Sequence, residues 1–250
     1  MKKLVIFIGI LAAVANFSCQ KLNDEGTGRL VIKITDAPFP LNDIESAVVT
    51  IDRVELRKAG DGVPDGNPFI TVAEDAGEFN LVELRNGVVE LLADIEIPAG
   101  EYDLVRLFVG PADLSLKDGS RHNLKIPSGE QTGIKIFIRP SLFVEGGLTS
   151  ELLLDFDLSR SFVMRGNMIN PEEMNGFIFK PVIRAVNNTT AGRIEGSVAD
   201  ESGKGIEGVS VTLKQEEDEI ASALTNAEGF FAIIGLPEGE YSATASKAGF

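Results

Sequence analysis

The chain of 250 residues is poor in the side chains that most catalysis and metal binding need: it has one cysteine, one histidine, no tryptophan and two tyrosines. A lone thiol, Cys19, excludes an intrachain disulfide. A zinc hydrolase usually draws on at least two histidine or cysteine ligands, and only His122 and Cys19 are on offer. A Ser-His-Asp triad would have to use His122, which follows the Asp118-Gly119 turn and reads better as a hairpin histidine. No H-E-x-x-H, G-x-S-x-G or P-loop pattern occurs. Gly26-x-Gly28 precedes a strand rather than joining strand to helix, so it is not a dinucleotide loop. The aromatics are mostly phenylalanine, 15 residues, which weakens the case for a sugar-stacking platform of Trp and Tyr. Bases are outnumbered, 23 Lys and Arg against 38 Asp and Glu, for a formal charge of −15. No cluster of Lys and Arg along the sequence offers phosphate contacts, which argues against nucleic acid. The acidity also disfavours electrostatic docking on anionic lipid and is explained by solubility alone.

Apolar residues at 44% and charged residues at 24% are ordinary for a globular protein. The length fits one large or two smaller domains, each able to bury a core without disulfides. The N-terminus carries a different message. Met1-Lys2-Lys3 is basic, Leu4 to Ala15 is apolar or small, and Asn16-Phe17-Ser18-Cys19 follows. This is the three-part layout of a secretory signal, with an apolar run short of the roughly 20 residues a membrane-crossing helix takes. The junction resembles a bacterial lipoprotein signal, in which the cysteine is lipidated and becomes the new N-terminus. Ser18 suits the position before the cut, whereas Asn16 stands where that family prefers an aliphatic residue. An ordinary cut after Ala13-Val14-Ala15 is the alternative. The resemblance implies a signal peptide over 1–18, a lipidated tether over 19–28 and a place in the bacterial cell envelope, anchored in the outer membrane and exposed at the surface. Loss of Lys2 and Lys3 with the signal leaves 21 bases against 38 acids, −17. Lys21, Asp24 and Glu25 are similar to a surface-export signal, although a solvated tether accounts for them as well.

From Arg29 onward the dominant period is two. Leu30, Ile32 and Ile34 alternate with Val31, Lys33 and Thr35; Leu152, Leu154, Phe156 and Leu158 alternate with Leu153, Asp155 and Asp157; Ile134, Ile136 and Ile138 behave likewise. Apolar side chains at every second position put one face of a strand on a core. Turn signals punctuate the runs at Asp61-Gly62, Asp118-Gly119, Pro127-Ser128-Gly129 and Gly146-Gly147, and Asp118-Gly119 predicts a hairpin between Leu114–Lys117 and Arg121–Ile126. Val49 and Ile51 share one parity, Val54 and Leu56 the other, so a bulge near Asp52-Arg53 would return all four to the core. Helical turns are expected only at Val88–Ala93 and Pro171–Met174. The small polar stretch Asn188 to Gly192 reads as a linker. Strands are expected beyond it at Arg193–Ala199, Val209–Lys214, Ala221–Thr225, Phe230–Ile233 and Tyr241–Ser246. Ile97-Pro98-Ala99-Gly100-Glu101-Tyr102 is echoed by Leu236-Pro237-Glu238-Gly239-Glu240-Tyr241. In each, a tyrosine ring would pack inward while its hydroxyl reaches backbone at a sandwich corner. Many short strands with regular turns indicate two all-β sandwiches, over 29–187 and 193–250.

The second unit carries Gly196-x-Val198, Gly203, Gly208-Val209-x-Val211-x-Leu213, Thr225-x-x-x-Gly229-x-Phe231 and Leu236-Pro237-x-Gly239-x-Tyr241. In these residues it resembles the carboxypeptidase regulatory-like family, a transthyretin-like β-sandwich; the peptidase itself has no counterpart here. That family continues for a strand or two past Lys247-Ala248-Gly249-Phe250, so the domain is expected to be incomplete at its C-terminus. The first unit carries Leu30-x-Ile32-x-Ile34-Thr35-Asp36-Ala37-Pro38, Ala47 to Val54, Pro98-Ala99-Gly100-x-Tyr102, Ile126-Pro127-Ser128-Gly129, Gly133-Ile134-Lys135 and Leu154-Asp155-Phe156-Asp157. It resembles the bacterial lipoprotein domain of unknown function, family number 4382, which implies an immunoglobulin-like envelope β-sandwich and no activity.

Among the many carboxylates, Asp155 and Asp157 are the best pair, on one strand face opposite Leu154, Phe156 and Leu158. They would suit a hard cation such as calcium, which wants six to eight oxygens; pairing with Arg160 or Arg165 is the simpler reading. Asp36 is expected to cap a turn. Glu216-Glu217-Asp218-Glu219 is expected at a solvated hairpin tip. The Pro127-to-Lys135 loop is a structural loop, or else a cradle for an anionic or sugar ligand. The resulting expectation is a non-enzymatic envelope or cell-surface lipoprotein that binds a protein or carbohydrate ligand, with the membrane as its other partner through lipid. The alternatives are a structural or assembly subunit of a surface structure, and a glycan-processing enzyme built on carboxylates.

Overall fold

The structure, a computed structural model, describes residues 26–37, 44–60, 69–124, 126, 129–166 and 174–247. The signal segment with Cys19, the Asp61-Gly62 turn, Pro127-Ser128 and the start of the Pro171–Met174 stretch lie outside the described residues.

Alternation of apolar and polar side chains becomes strand where it was expected, except that the run read through Leu158 ends at Asp157 and Leu158 opens a helical turn. The first unit contains β1 (Thr27–Ala37), β2 (Ile44–Lys58), β3 (Phe69–Asn80), β4 (Glu90–Pro98), β5 (Gly100–Leu116), β6 (Arg121–Leu124), β7 (Ile134–Val144), β8 (Thr149–Asp157), β9 (Phe162–Gly166), β10 (Met174–Phe179) and β11 (Ile183–Asn187). Among the described residues its helical content is slight: a 3-10 turn at Leu81–Glu83 and the one-turn helices α1 (Gly129–Thr132) and α2 (Leu158–Ser161). The main sheet runs β3-β2-β5-β7-β11-β8-β1-β4, with β6 paired to β5. It doubles over at the join of β7 and β11, where Ala185 meets Ile138. One layer is therefore β3-β2-β5-β7 and the other β11-β8-β1-β4. Leu30, Ile32, Ile34, Leu152, Leu154 and Phe156 from the second layer share a buried cluster with Val49, Ile51, Val54, Leu56, Val105 and Leu107 from the first. The Asp118-Gly119 hairpin forms as expected, with Ser115 opposite Arg121 and the Leu116 N–H donating to Ser120 O.

The pairing of β2 shifts between Ile51 and Arg53 against both of its neighbours. Against β5 Asp52 is the extra residue, whereas against β3 the extra residue lies on β3 itself, between Gly77 and Glu74. Val49, Ile51, Val54 and Leu56 are all buried, as the change of parity foretold. The expected helical turn over Val88–Ala93 does not form. Those residues lead into β4, which pairs antiparallel with β1. A bulge there sets Lys33 opposite Leu91 and Ile32 opposite Ala93, so the skipped Leu92 and its neighbour Ala93 are both buried. Two adjacent buried residues imitate a helical period, which misleads any reading by spacing.

The second unit is smaller. β12 (Gly192–Ser197) pairs with β15 (Phe230–Leu236), while β13 (Ser210–Gln215) lies between β14 (Asp218–Leu224) and β16 (Ser242–Ser246). Val211, Leu213, Ala223, Phe231, Ile233 and Leu236 form its core. Each expected strand of this unit is present within a few residues. The unit rests on the outer face of β8 and β11. Leu153 and Val186 point away from the first core yet are 0% and 4% exposed. Gly235, at φ +69°, lies over them, and a Cβ there would come within 2.9 Å of Leu153 Cδ2. The linker is not a free tether: Asn188 N–H donates to Glu151 O and Thr189 Oγ1 accepts from Glu151 N–H, each at 2.8 Å.

Candidate functional site

The opposite outer face, on β2, β3, β5 and β7, gathers arginine and phenylalanine. Strand alternation places Arg53, Glu55 and Arg57 outward on β2 while Val54 and Leu56 fill the core. Pairing then brings rows together across the sheet: Phe69, Arg57, Leu104 and Phe137 in one; Thr71, Glu55, Arg106 and Lys135 in the next; Glu74, Arg53 and Phe108 in a third. Glu55 is nearly buried between two guanidiniums. It accepts from Arg106 Nε at 2.6 Å, and Arg53 Nε approaches its other oxygen at 3.0 Å. The Arg53 guanidinium lies 3.9 Å from the Phe108 ring centre, and that of Arg106 lies 3.8 Å from Phe69. Arg57 forms a bidentate pair with Asp103, both bonds at 2.8 Å. Hydrogen bonding to Asp103 raises the already high pKa of that guanidinium. These contacts fix side chains that would otherwise cost entropy to order on binding.

The β7 end of this face differs. Lys135, Phe137 and Arg139 point out together, and Phe137 is 54% exposed. Guanidiniums of Arg57 and Arg139 stand on its ring at 5.9 and 5.4 Å. Neither Lys135 nor Arg139 makes an ion pair or hydrogen bond among the described residues. The stripe continues along the strand to Phe143, 59% exposed. The far end of the face is acidic, where Asp52, Glu74 and Asp75 surround a polar hollow beside Arg53 and Phe108.

Of the residues singled out from the sequence, Lys135 lies on this face, on β7 and not in a loop; the others lie elsewhere. Asp155 and Asp157 do share the outer face of β8. Asp155 is bonded to Arg184 at 2.5 Å; burial pushes its carboxyl above the ordinary value while Arg184 pulls it down. Asp157 caps α2, accepting from Arg160 N–H at 3.2 Å. Among the described residues no group of three or more His, Cys, Asp or Glu is arranged to hold a metal ion. Asp36 does cap a turn, although not its own: Oδ1 accepts from Leu158 N–H of α2 at 3.3 Å, and Oδ2 is buried without a partner. Burial holds its carboxyl well above the usual range. His122 sits half-buried on β6 opposite Leu114. Glu216 to Glu219 are exposed at the β13–β14 tip. The described part of the 127–135 loop packs beside the platform, with Gly133 against Arg106 and Phe108.

No run of Lys and Arg marks the platform in the sequence, because its members are scattered over 87 positions, from Arg53 to Arg139, and meet only through pairing. The usable signal was the outward parity of Arg53, Arg57, Lys135, Phe137 and Arg139 within runs whose inward positions are apolar. No curated protein and no solved structure matches the chain. Residues 193–250 match the carboxypeptidase regulatory-like domain. Residues 27–181, more than half the chain and the part that carries the platform, match the domain of unknown function DUF4382, and the protein therefore belongs to the DUF4382 family.

Proposed function

We propose that the protein is a non-catalytic binding module of the bacterial cell envelope, anchored in the outer membrane by lipid on Cys19, facing the exterior, and engaging a protein or carbohydrate ligand. The observation that carries the binding role is the ordered arginine–phenylalanine face, whose β7 end leaves two cations and an aromatic ring open. Arginine and aromatic residues dominate the energetics of recognition surfaces, and a face already fixed by Glu55 and Asp103 loses little entropy when a ligand lands. The anchoring role rests on the signal-like N-terminus, since two or more acyl chains hold a protein stably where one does not.

Both parts are tested in the native host. Intact cells making wild type or Cys19→Ser are treated with protease and fractionated. Wild type should be membrane-bound and cleaved from outside, and the variant released in soluble form. Equal solubility of the two would discard the anchor, and a protected wild type would place the protein inward. Purified full-length protein is then tested against envelope and extracellular proteins and glycans, alongside Phe137→Ala. Ligand capture that Phe137→Ala abolishes supports the binding role; failure to engage any of them removes it.

A further inference from the structure

The β7 stripe has a chemistry more specific than a general binding face. Lys135, Phe137 and Arg139 alternate with the core residues Ile136 and Ile138. Along a strand, alternate side chains are about 7 Å apart and the two cations about 13 Å apart. An extended peptide has the same period. A segment with carboxylates at alternate positions on either side of an apolar residue would match the stripe cation to anion and apolar to ring. Saccharide stacking is the weaker fit. The chain has no tryptophan, and both tyrosine hydroxyls are tied to proline carbonyls at the sandwich corners. The protein's charge of −15 does not forbid an acidic partner, because charges beyond about 8 Å are screened at physiological ionic strength. At the stripe the partner meets Lys135 and Arg139, while Glu55 and Asp103 are neutralised by Arg53, Arg106 and Arg57 and Glu101 accepts from Ser141 Oγ. We infer that the ligand of this face is a protein, and that the part lying on Lys135, Phe137 and Arg139 is an extended segment alternating acidic and apolar side chains. This rests on the reading of the face as the binding surface.

The test titrates purified full-length protein with a synthetic peptide that carries glutamate, leucine and glutamate at every second position with threonine between them. Binding should be saturable and should weaken as salt is raised. Phe137→Ala and Arg139→Glu should each weaken it by about tenfold or more, with melting temperatures that match wild type because both side chains are exposed. A peptide with lysine in place of glutamate should regain binding to the Lys135→Glu/Arg139→Glu double variant. Polygalacturonate, a carboxylate-bearing glycan, is the parallel probe. Stripe-dependent binding of polygalacturonate and not of the peptide would overturn the protein-segment inference and leave the face as the binding surface. Stripe-dependent self-association of the protein, seen by sedimentation in place of peptide binding, would overturn it in the same way. Peptide binding indifferent to all three substitutions, or no binding of either probe, would overturn the inference and the face together.

Discussion

The hydroxyl of Tyr102 donates to Pro98 O at 2.8 Å, and that of Tyr241 donates to Pro237 O at 2.6 Å. The Tyr102 side chain is wholly buried in the first core, and burial pushes its phenol up to about 12. Removing only that oxygen isolates one hydrogen bond. Tyr102→Phe should cost about 1 kcal/mol in urea unfolding, and Tyr241→Phe less, since its bond is exposed. Asp36 is a second single-atom question. Its folded-state pKa lies above the unfolded value because the carboxyl is buried, with Leu158 N–H only partly compensating. A raised pKa means that the folded state holds its proton longer than the unfolded chain. The stability this supplies is complete below the unfolded value of about 3.9 and is lost as pH rises through the folded value. Asp36→Asn keeps the acceptor for Leu158 and cannot ionise. Its denaturation midpoint should therefore equal wild type in acid and exceed it at neutral and alkaline pH. A variant less stable than wild type at neutral pH would show that the Asp36 carboxylate is favourable where it lies.

At the scale of the element, the parity of β2 makes a sharper demand. The bulge at Asp52 keeps Val49, Ile51, Val54 and Leu56 on the core. Deleting Asp52 shifts the register by one residue and turns half of that set to solvent. Two large aliphatic side chains are worth roughly 1.5–3 kcal/mol each, so the deletion should unfold the first unit or lower its melting temperature sharply. Asp52→Ala keeps the residue count and should change stability by only about 0.5 kcal/mol. Similar losses from both variants would mean that the carboxylate, which faces Gly110, matters more than the bulge. This strand was legible in the sequence because its inward positions are uniformly apolar on each side of one slip. The start of β4 was not, because its bulge buries Leu92 and Ala93 together and leaves Leu91 exposed. The Asp155–Asp157 pair was legible as a shared face, but strand parity is silent on the partners that β11 and α2 bring to it. The platform failed to read for the same reason. Its arginines and phenylalanines are local in parity and remote in sequence, and the pairing that assembles them is a property of topology.

For the whole molecule, the two layers of the first unit face different neighbours. The β3-β2-β5-β7 layer carries the platform, and the β11-β8-β1-β4 layer carries the second unit. Leu153 and Val186 sit opposite one another in the pairing of β8 and β11, outside the first core and under Gly235. From the second unit, Ala232 and Ile234 reach to Gly87, each within 3.4 Å of where a Cβ would stand. A charge introduced at Leu153 would be buried beside Lys33, whose ammonium is already paired with Glu151, so desolvation is only partly offset and costs several kcal/mol unless the contact opens. Opening is the cheaper response, because the first core does not contain Leu153 and can stay intact. Leu153→Asp should therefore make the 188–191 segment a protease target and resolve thermal unfolding into two transitions where wild type shows one. Leu152→Asp, one residue away and on the core side, should instead unfold the first unit. Since the platform lies on the other layer, Leu153→Asp should bind the acidic peptide as wild type does. Loss of that binding without loss of the first unit's melting transition would mean that the second unit contributes to the ligand surface.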